Sequence, residues 1–171
     1  GSIVHEILRR LWDNWKTSCV FMALSDEQLE VQTEDTVRTV LLEQAKTHSW
    51  LQGENYLALE QQRMSKMILQ WLEVEKQRPS FEVIKTEQKI TMDFGDLKIS
   101  LSLDRLDKVQ DQLVVIDYKT GNVSSVSWHG ERPKDPQLPL YVLASEPKPE
   151  GCFFGHLKGT KFKYIGLSKD P

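Results

Sequence analysis

The chain has 171 residues, 39% of them hydrophobic and 27% charged, which fits one soluble globular domain and excludes wholesale disorder. Lys and Arg number 22 against 25 Asp and Glu, a net charge of −3. That excludes a simple polybasic nucleic-acid binder, but not a nucleic-acid enzyme whose acidic metal ligands offset a basic groove. Two cysteines, Cys19 and Cys152, cannot build a four-cysteine zinc or iron–sulfur site and are expected as free thiols. No apolar run approaches the ~18 residues of a membrane span. The start lacks a signal-peptide pattern, and without Met it reads as a domain excised from a longer protein. No G-x-x-x-x-G-K-S/T phosphate loop occurs.

The first half, about 1–78, reads helical. Ile3, Val4, Ile7, Leu8, Leu11, Trp12 and Trp15 repeat at helical spacing. Ser25-Asp26-Glu27-Gln28 is a start signal for a second helix, with Val37, Val40, Leu41 and Ala45 on its apolar side. A third follows Gly53, carries Met64, Met67, Ile68, Trp71 and Leu72, and ends before Pro79. All three stripes are expected to face a core. From Pro79 the pattern turns to strands, with turns at Phe94-Gly95-Asp96 and Gln110-Asp111-Gln112. Leu97, Ile99, Leu101 and Leu103 alternate with Lys98, Ser100, Ser102 and Asp104. Leu113-Val114-Val115-Ile116 is a continuous apolar run, suited to a central strand buried on both faces. A short helix is expected over about 135–145, then strands near Cys152–Leu157 and Phe162–Leu167. Lys158, Lys161, Lys163 and Lys169 make the tail basic, which suits a solvated edge.

The chemistry concentrates where the apolar run ends, at Asp117-Tyr118-Lys119-Thr120-Gly121. Residues i and i+2 of a strand share a face, so Asp117 and Lys119 project together and Tyr118 points the other way. A hairpin through 110–112 brings Asp104 beside them. Two neighbouring carboxylates repel unless a cation or shared proton intervenes, and hard oxygen donors suit Mg²⁺ or Mn²⁺. The alternation breaks at this point, because Leu106 occupies the phase that Asp104 had. A bulge or strand end there would re-aim a side chain.

Four segments are similar, in order, to motifs of one family. Gly1-Ser2-Ile3-Val4-His5 resembles its G-x-x-x-H, and Asp104-Arg105-Leu106-Asp107 its D-R-x-D. Asp117-Tyr118-Lys119-Thr120-Gly121 resembles its D-Y-K-S/T-G, and Gln137-Leu138-Pro139-Leu140-Tyr141 its Q-x-x-x-Y. The family is the RecB-like branch of the PD-(D/E)XK nucleases, the nuclease domains of RecB, AddB and related DNA-repair exonucleases. The resemblance implies an α/β, restriction-endonuclease-like mixed central sheet flanked by helices, with a helical N-terminal half. One domain over 1–171 would hold a helical portion at about 1–78 and a catalytic sheet portion at about 79–171. It implies a Mg²⁺- or Mn²⁺-dependent deoxyribonuclease, an exonuclease in DNA repair or recombination. Asp104 and Asp117 would be the metal carboxylates, His5 and the Tyr118 backbone carbonyl further ligands, and Lys119 the group that orients or activates water. Gln137, Tyr141 and Arg105 would bind or support substrate. Trp128, His129 and Arg132 could stack on and grip single-stranded DNA, or form an ordinary loop. The partners implied are DNA and a helicase subunit or domain, with no membrane, in a bacterial-type cytoplasm. The family usually places a Gly where this chain has Leu101, and many relatives carry a C-terminal cysteine cluster for which Cys152 alone does not suffice, so no iron–sulfur cluster is expected. The competing reading is a catalytically inactive, nuclease-like DNA-binding module of a helicase–nuclease complex; a third is a hydrolase acting on another phosphodiester.

Overall fold

A computed structural model describes residues 2–51, 53–94, 97–122, 137–159 and 162–168. The chain divides into two compact units, Gly1–Arg78 and Pro79–Pro171.

In the helical unit, α1 (Ser2–Trp15) buries Val4, Ile7, Leu8, Leu11, Trp12 and Trp15, the stripe that its spacing predicts. A five-residue helix, α2 (Ser18–Met22), follows a left-handed Lys16 (φ 61°) and is capped by the Thr17 hydroxyl, which accepts the Val20 N–H. It is too short to show a period and was not foreseen. It delivers Phe21 to Trp12 and Trp15, with ring centroids 5.3 and 5.2 Å away. The Ser25 signal is a full capping box at the head of α3 (Asp26–Ala45): Ser25 accepts the Gln28 N–H and Gln28 accepts the Ser25 N–H. α3 packs on α1 and on α4 (Glu54–Glu75), whose buried face holds Met64, Ile68, Trp71 and Leu72.

The sheet unit contains β1 (Phe81–Phe94), β2 (Leu97–Val109), β3 (Gln112–Lys119), α5 (Gln137–Ala144), β4 (Gly151–His156) and β5 (Lys163–Ser168). The five strands lie in the order β1-β2-β3-β4-β5; β3 and β4 are parallel and the other pairs antiparallel. The apolar run thus forms the central strand. Gln110 takes a left-handed φ of 56° in the turn that reverses β2 into β3. α5 lies in the crossover between the parallel strands, and its Leu138 and Tyr141 close a core with Leu101, Leu103, Leu106, Val115 and Phe154. From Lys98 onward β2 alternates as expected, with Lys98, Ser100 and Ser102 exposed and Leu101 and Leu103 buried. This mixed sheet with helices, behind a helical first half, is the expected architecture. Residues 95–96 of one expected turn and 135–136 of the expected helix lie outside the described residues. Cys19 and Cys152 are free thiols, and burial pushes the Cys152 thiol upward in pKa.

Candidate active site

β3 carries different residues on its two faces. Val115 lies in the core under α5, and on the same face Asp117 and Lys119 follow at two-residue steps. Lys119 Nζ stands 2.8 Å from Asp117 Oδ2, close as an ion pair but not aligned as a hydrogen bond. The same ammonium lies 5.5 Å from the centroid of the Phe154 ring, on the β4 residue that pairs with Asp117. Asp117 is only 3% exposed. A carboxylate so far from water requires charged or polar partners, and Lys119 is one of them.

Asp104 reaches this place from β2. The β2–β3 ladder pairs Val109 with Gln112 and runs to Arg105 opposite Ile116. One step further, where the register would set Asp104 opposite Asp117, the Asp104 side chain intervenes: its Oδ2 accepts the Tyr118 N–H at 2.6 Å. A carboxylate takes the amide that a strand carbonyl would otherwise hold. The expected break in alternation is present, since Leu103 and Leu106 enter the same core although three residues apart. On the other side of β2, Thr86 pairs with Arg105 and Gln88 with Leu103, and the intervening Glu87 is left-handed at φ 48°. β2 therefore changes phase at Asp104, which turns its carboxylate toward the end of β3.

Tyr118 points to the opposite face, as the two-residue period requires, and its hydroxyl accepts Arg105 Nη1–H at 2.9 Å. Arg105 is 0% exposed and forks onto the equally buried Asp107, Nε to Oδ1 at 2.6 Å and Nη2 to Oδ2 at 2.7 Å. The Arg105 guanidinium, expected beside substrate, is enclosed and faces Asp107 and Tyr118. Asp107, the last residue of the D-R-x-D segment, was not foreseen as a partner. Arg105 and Asp107 stand two apart on one strand face, and that spacing was the available signal.

Gln137 and Tyr141 sit one helical turn apart on α5, but both are engaged within the unit. Gln137 Nε2 donates to the Ser102 carbonyl at 2.5 Å, two residues before Asp104. Tyr141 is 2% exposed, and its hydroxyl donates to Gln88 Oε1 at 3.0 Å. Burial raises the pKa of that phenol. In this arrangement the pair ties α5 to the sheet beside Asp104, with Tyr141 buried and Gln137 partly exposed. His5 lies half-buried on α1, in the helical unit, beside the apolar stripe. Gly1 of its motif, and Trp128, His129 and Arg132, lie outside the described residues. His156 was not foreseen. It pairs with Lys119 across the parallel ladder, and its Nε2–H donates to the Gly121 carbonyl at 2.9 Å, holding the turn after β3. Among the described residues no group of three or more His, Cys, Asp or Glu gathers as a metal cage, and no helix is long and apolar enough to cross a membrane.

A family model, that of the PD-(D/E)XK nuclease superfamily, matches residues 1–161 and so takes in every segment just described. The chain belongs to the PD-(D/E)XK nuclease superfamily. Membership suggests a nuclease that binds DNA, and nucleases of this superfamily generally use divalent metals such as Mg²⁺ or Mn²⁺. The matched residues include Asp104, Asp117 and Lys119. No curated protein matches the chain at a significant level. Among solved structures, "Crystal structure of SSO0001" is 15% identical with a TM-score of 0.34, covering 98% of this chain and 78% of that one. A likeness that weak carries no argument about fold or function.

Proposed function

We propose that the chain is a RecB-like, Mg²⁺- or Mn²⁺-dependent deoxyribonuclease that hydrolyses the phosphodiester backbone as an exonuclease in DNA repair or recombination. The observation that carries the reading is the convergence of Asp104, Asp117 and Lys119 at the point where the β2–β3 ladder ends. The donor set fits a hard divalent cation, because two carboxylates brought to neighbouring strand positions are costly without one. Asp104 and Asp117 would hold it, with the Tyr118 carbonyl as a further ligand. When bound, the cation supplies a water of lowered pKa and offsets charge developing on the phosphoryl oxygens.

The protein's own part is positioning. Asp117 holds Lys119 on the same strand face, and its ammonium would orient the attacking water beside the scissile phosphate. Water attacks phosphorus, the bond to the leaving oxygen breaks, and the water proton passes to solvent or to that oxygen. Gln137 and Tyr141 act from behind, keeping α5 against β2. A helicase subunit or domain as partner and a cytoplasmic setting go with the RecB-like branch.

Lys119→Ala tests the reading. Expected is a loss of cleavage of about a hundredfold or more, the scale of a positioned proton-transfer or water-orienting group, with DNA binding retained. If cleavage and binding are both unchanged, Lys119 has no such role. Binding without metal-dependent cleavage in the wild type would mark an inactive DNA-binding module instead.

A further inference from the structure

Behind the candidate site lies a buried charge pair that neither the fold nor the proposed chemistry demands. Arg105 and Asp107 are both 0% exposed, joined by two parallel hydrogen bonds, and the guanidinium carbon stands 4.8 Å from the centroid of the Phe81 ring. Desolvating such a pair costs as much as its attraction returns, so stability alone does not account for it. Its geometry has a direction. A planar fork held at two nitrogens on Asp107 fixes where the third nitrogen points, and Arg105 Nη1 donates to the Tyr118 hydroxyl, 2.9 Å away. Tyr118 is 2% exposed, so its ring is held at its far end as well as along its sides. At its near end, the Tyr118 N–H is the donor that Asp104 Oδ2 accepts at 2.6 Å. Its two chain neighbours are Asp117 and Lys119.

We propose that Arg105, Asp107 and Tyr118 form a clasp on the far face of the sheet that sets the spacing of the two candidate metal carboxylates on the near face. Asp104 precedes Arg105 on β2, and Asp117 precedes Tyr118 on β3, so one buried contact ties the strands just where their ladder has ended. All three members are positioning residues, acting through Asp104 and Asp117. The inference rests on the proposed metal-dependent reading of those carboxylates, and it deepens that reading.

The test uses Tyr118→Phe, which removes one hydroxyl and keeps the ring, together with Arg105→Lys, which keeps the charge and loses the fork. In metal-free protein, amide hydrogen exchange at position 118 is compared with that at Val115, which lies within the ladder. Mn²⁺ alone is then titrated by calorimetry, and kcat and KM for cleavage of an oligonucleotide are measured. For Tyr118→Phe the melting temperature is expected within about 3 °C of wild type. Exchange at position 118 should rise about tenfold relative to Val115, and Mn²⁺ affinity and kcat should each fall about tenfold with KM nearly constant, the scale of losing a group that orients a metal ligand. Arg105→Lys should show the same local exchange and the same weakened Mn²⁺ binding. The clasp is overturned if the folded Tyr118→Phe variant keeps both exchange and Mn²⁺ affinity within about twofold of wild type. A wild type that binds Mn²⁺ but does not cleave contradicts the nuclease reading and leaves the clasp to be decided by exchange and Mn²⁺ affinity. A wild type that binds no Mn²⁺ overturns both.

Discussion

The helical unit and the sheet unit treat charge differently. On α1 the ion pairs lie on the surface: Arg9 to Glu6 at 2.7 Å and to Asp13 at 2.9 Å and Arg10 to Glu6 at 2.5 Å at helical spacing, and Arg10 to Glu43 of α3 at 2.5 Å, all partly exposed. Glu75, buried on α4, accepts the Trp71 indole N–H at 3.1 Å and pairs with Arg78 at 2.8 Å, both close by in sequence. In the sheet unit Arg105, Asp107 and Asp117 are buried, and their partners include residues on another strand. Charge on a helix surface is solvated and exchangeable, whereas charge enclosed within a sheet is held to a direction. The enclosed charges lie beside the residues to which the chemistry is assigned.

The sharpest way to break this contrast is to remove one partner from each region. Asp107→Ala leaves the enclosed Arg105 guanidinium without its carboxylate and should cost about 3–5 kcal/mol in urea unfolding. Glu6→Ala, which removes a partner from two arginines at once, should cost no more than about 1 kcal/mol, because all three groups reach solvent. Equal costs would erase the distinction. A smaller effect concerns acid. The Glu6 carboxyl is held below its ordinary value of 4.5, first by the hydrogen bond from Arg9 and against the opposing effect of burial. A carboxyl depressed in the folded state adds stability above its unfolded pKa and loses it as pH falls through the folded value. Wild type should therefore lose slightly more stability below about pH 4.5 than Glu6→Gln does, by no more than about 0.5 kcal/mol after solvent screening. Parallel curves would show that this network adds nothing.

Much of the fold was legible because helix and strand periods are local. The stripe on α1, the Ser25 capping box and the central run of β3 each announce themselves within a few residues. The site was legible for the same reason: Asp117 and Lys119 share a face by period, and the turn at Gln110-Asp111 brings β2 back with Asp104 on it. What escaped was non-local or against habit. α2 is too short for a period to form. Arginine is seldom fully buried, so nothing local announces that Arg105 is enclosed. Tyr141 looked available for a ligand, yet it closes the core and bonds Gln88 from another strand. His156 meets Lys119 only because the crossover through α5 returns β4 parallel to β3, a pairing that no local pattern announces.

The central claim is that Asp117 belongs to a metal-dependent phosphodiester site. The direct measurement is cleavage of an end-labelled single-stranded oligonucleotide by wild type and Asp117→Ala, each with Mn²⁺, Mg²⁺ or EDTA. Cleavage that requires the metal and falls at least about a hundredfold in the variant is the predicted result. Cleavage that persists in EDTA, or that Asp117→Ala leaves intact, would contradict the account.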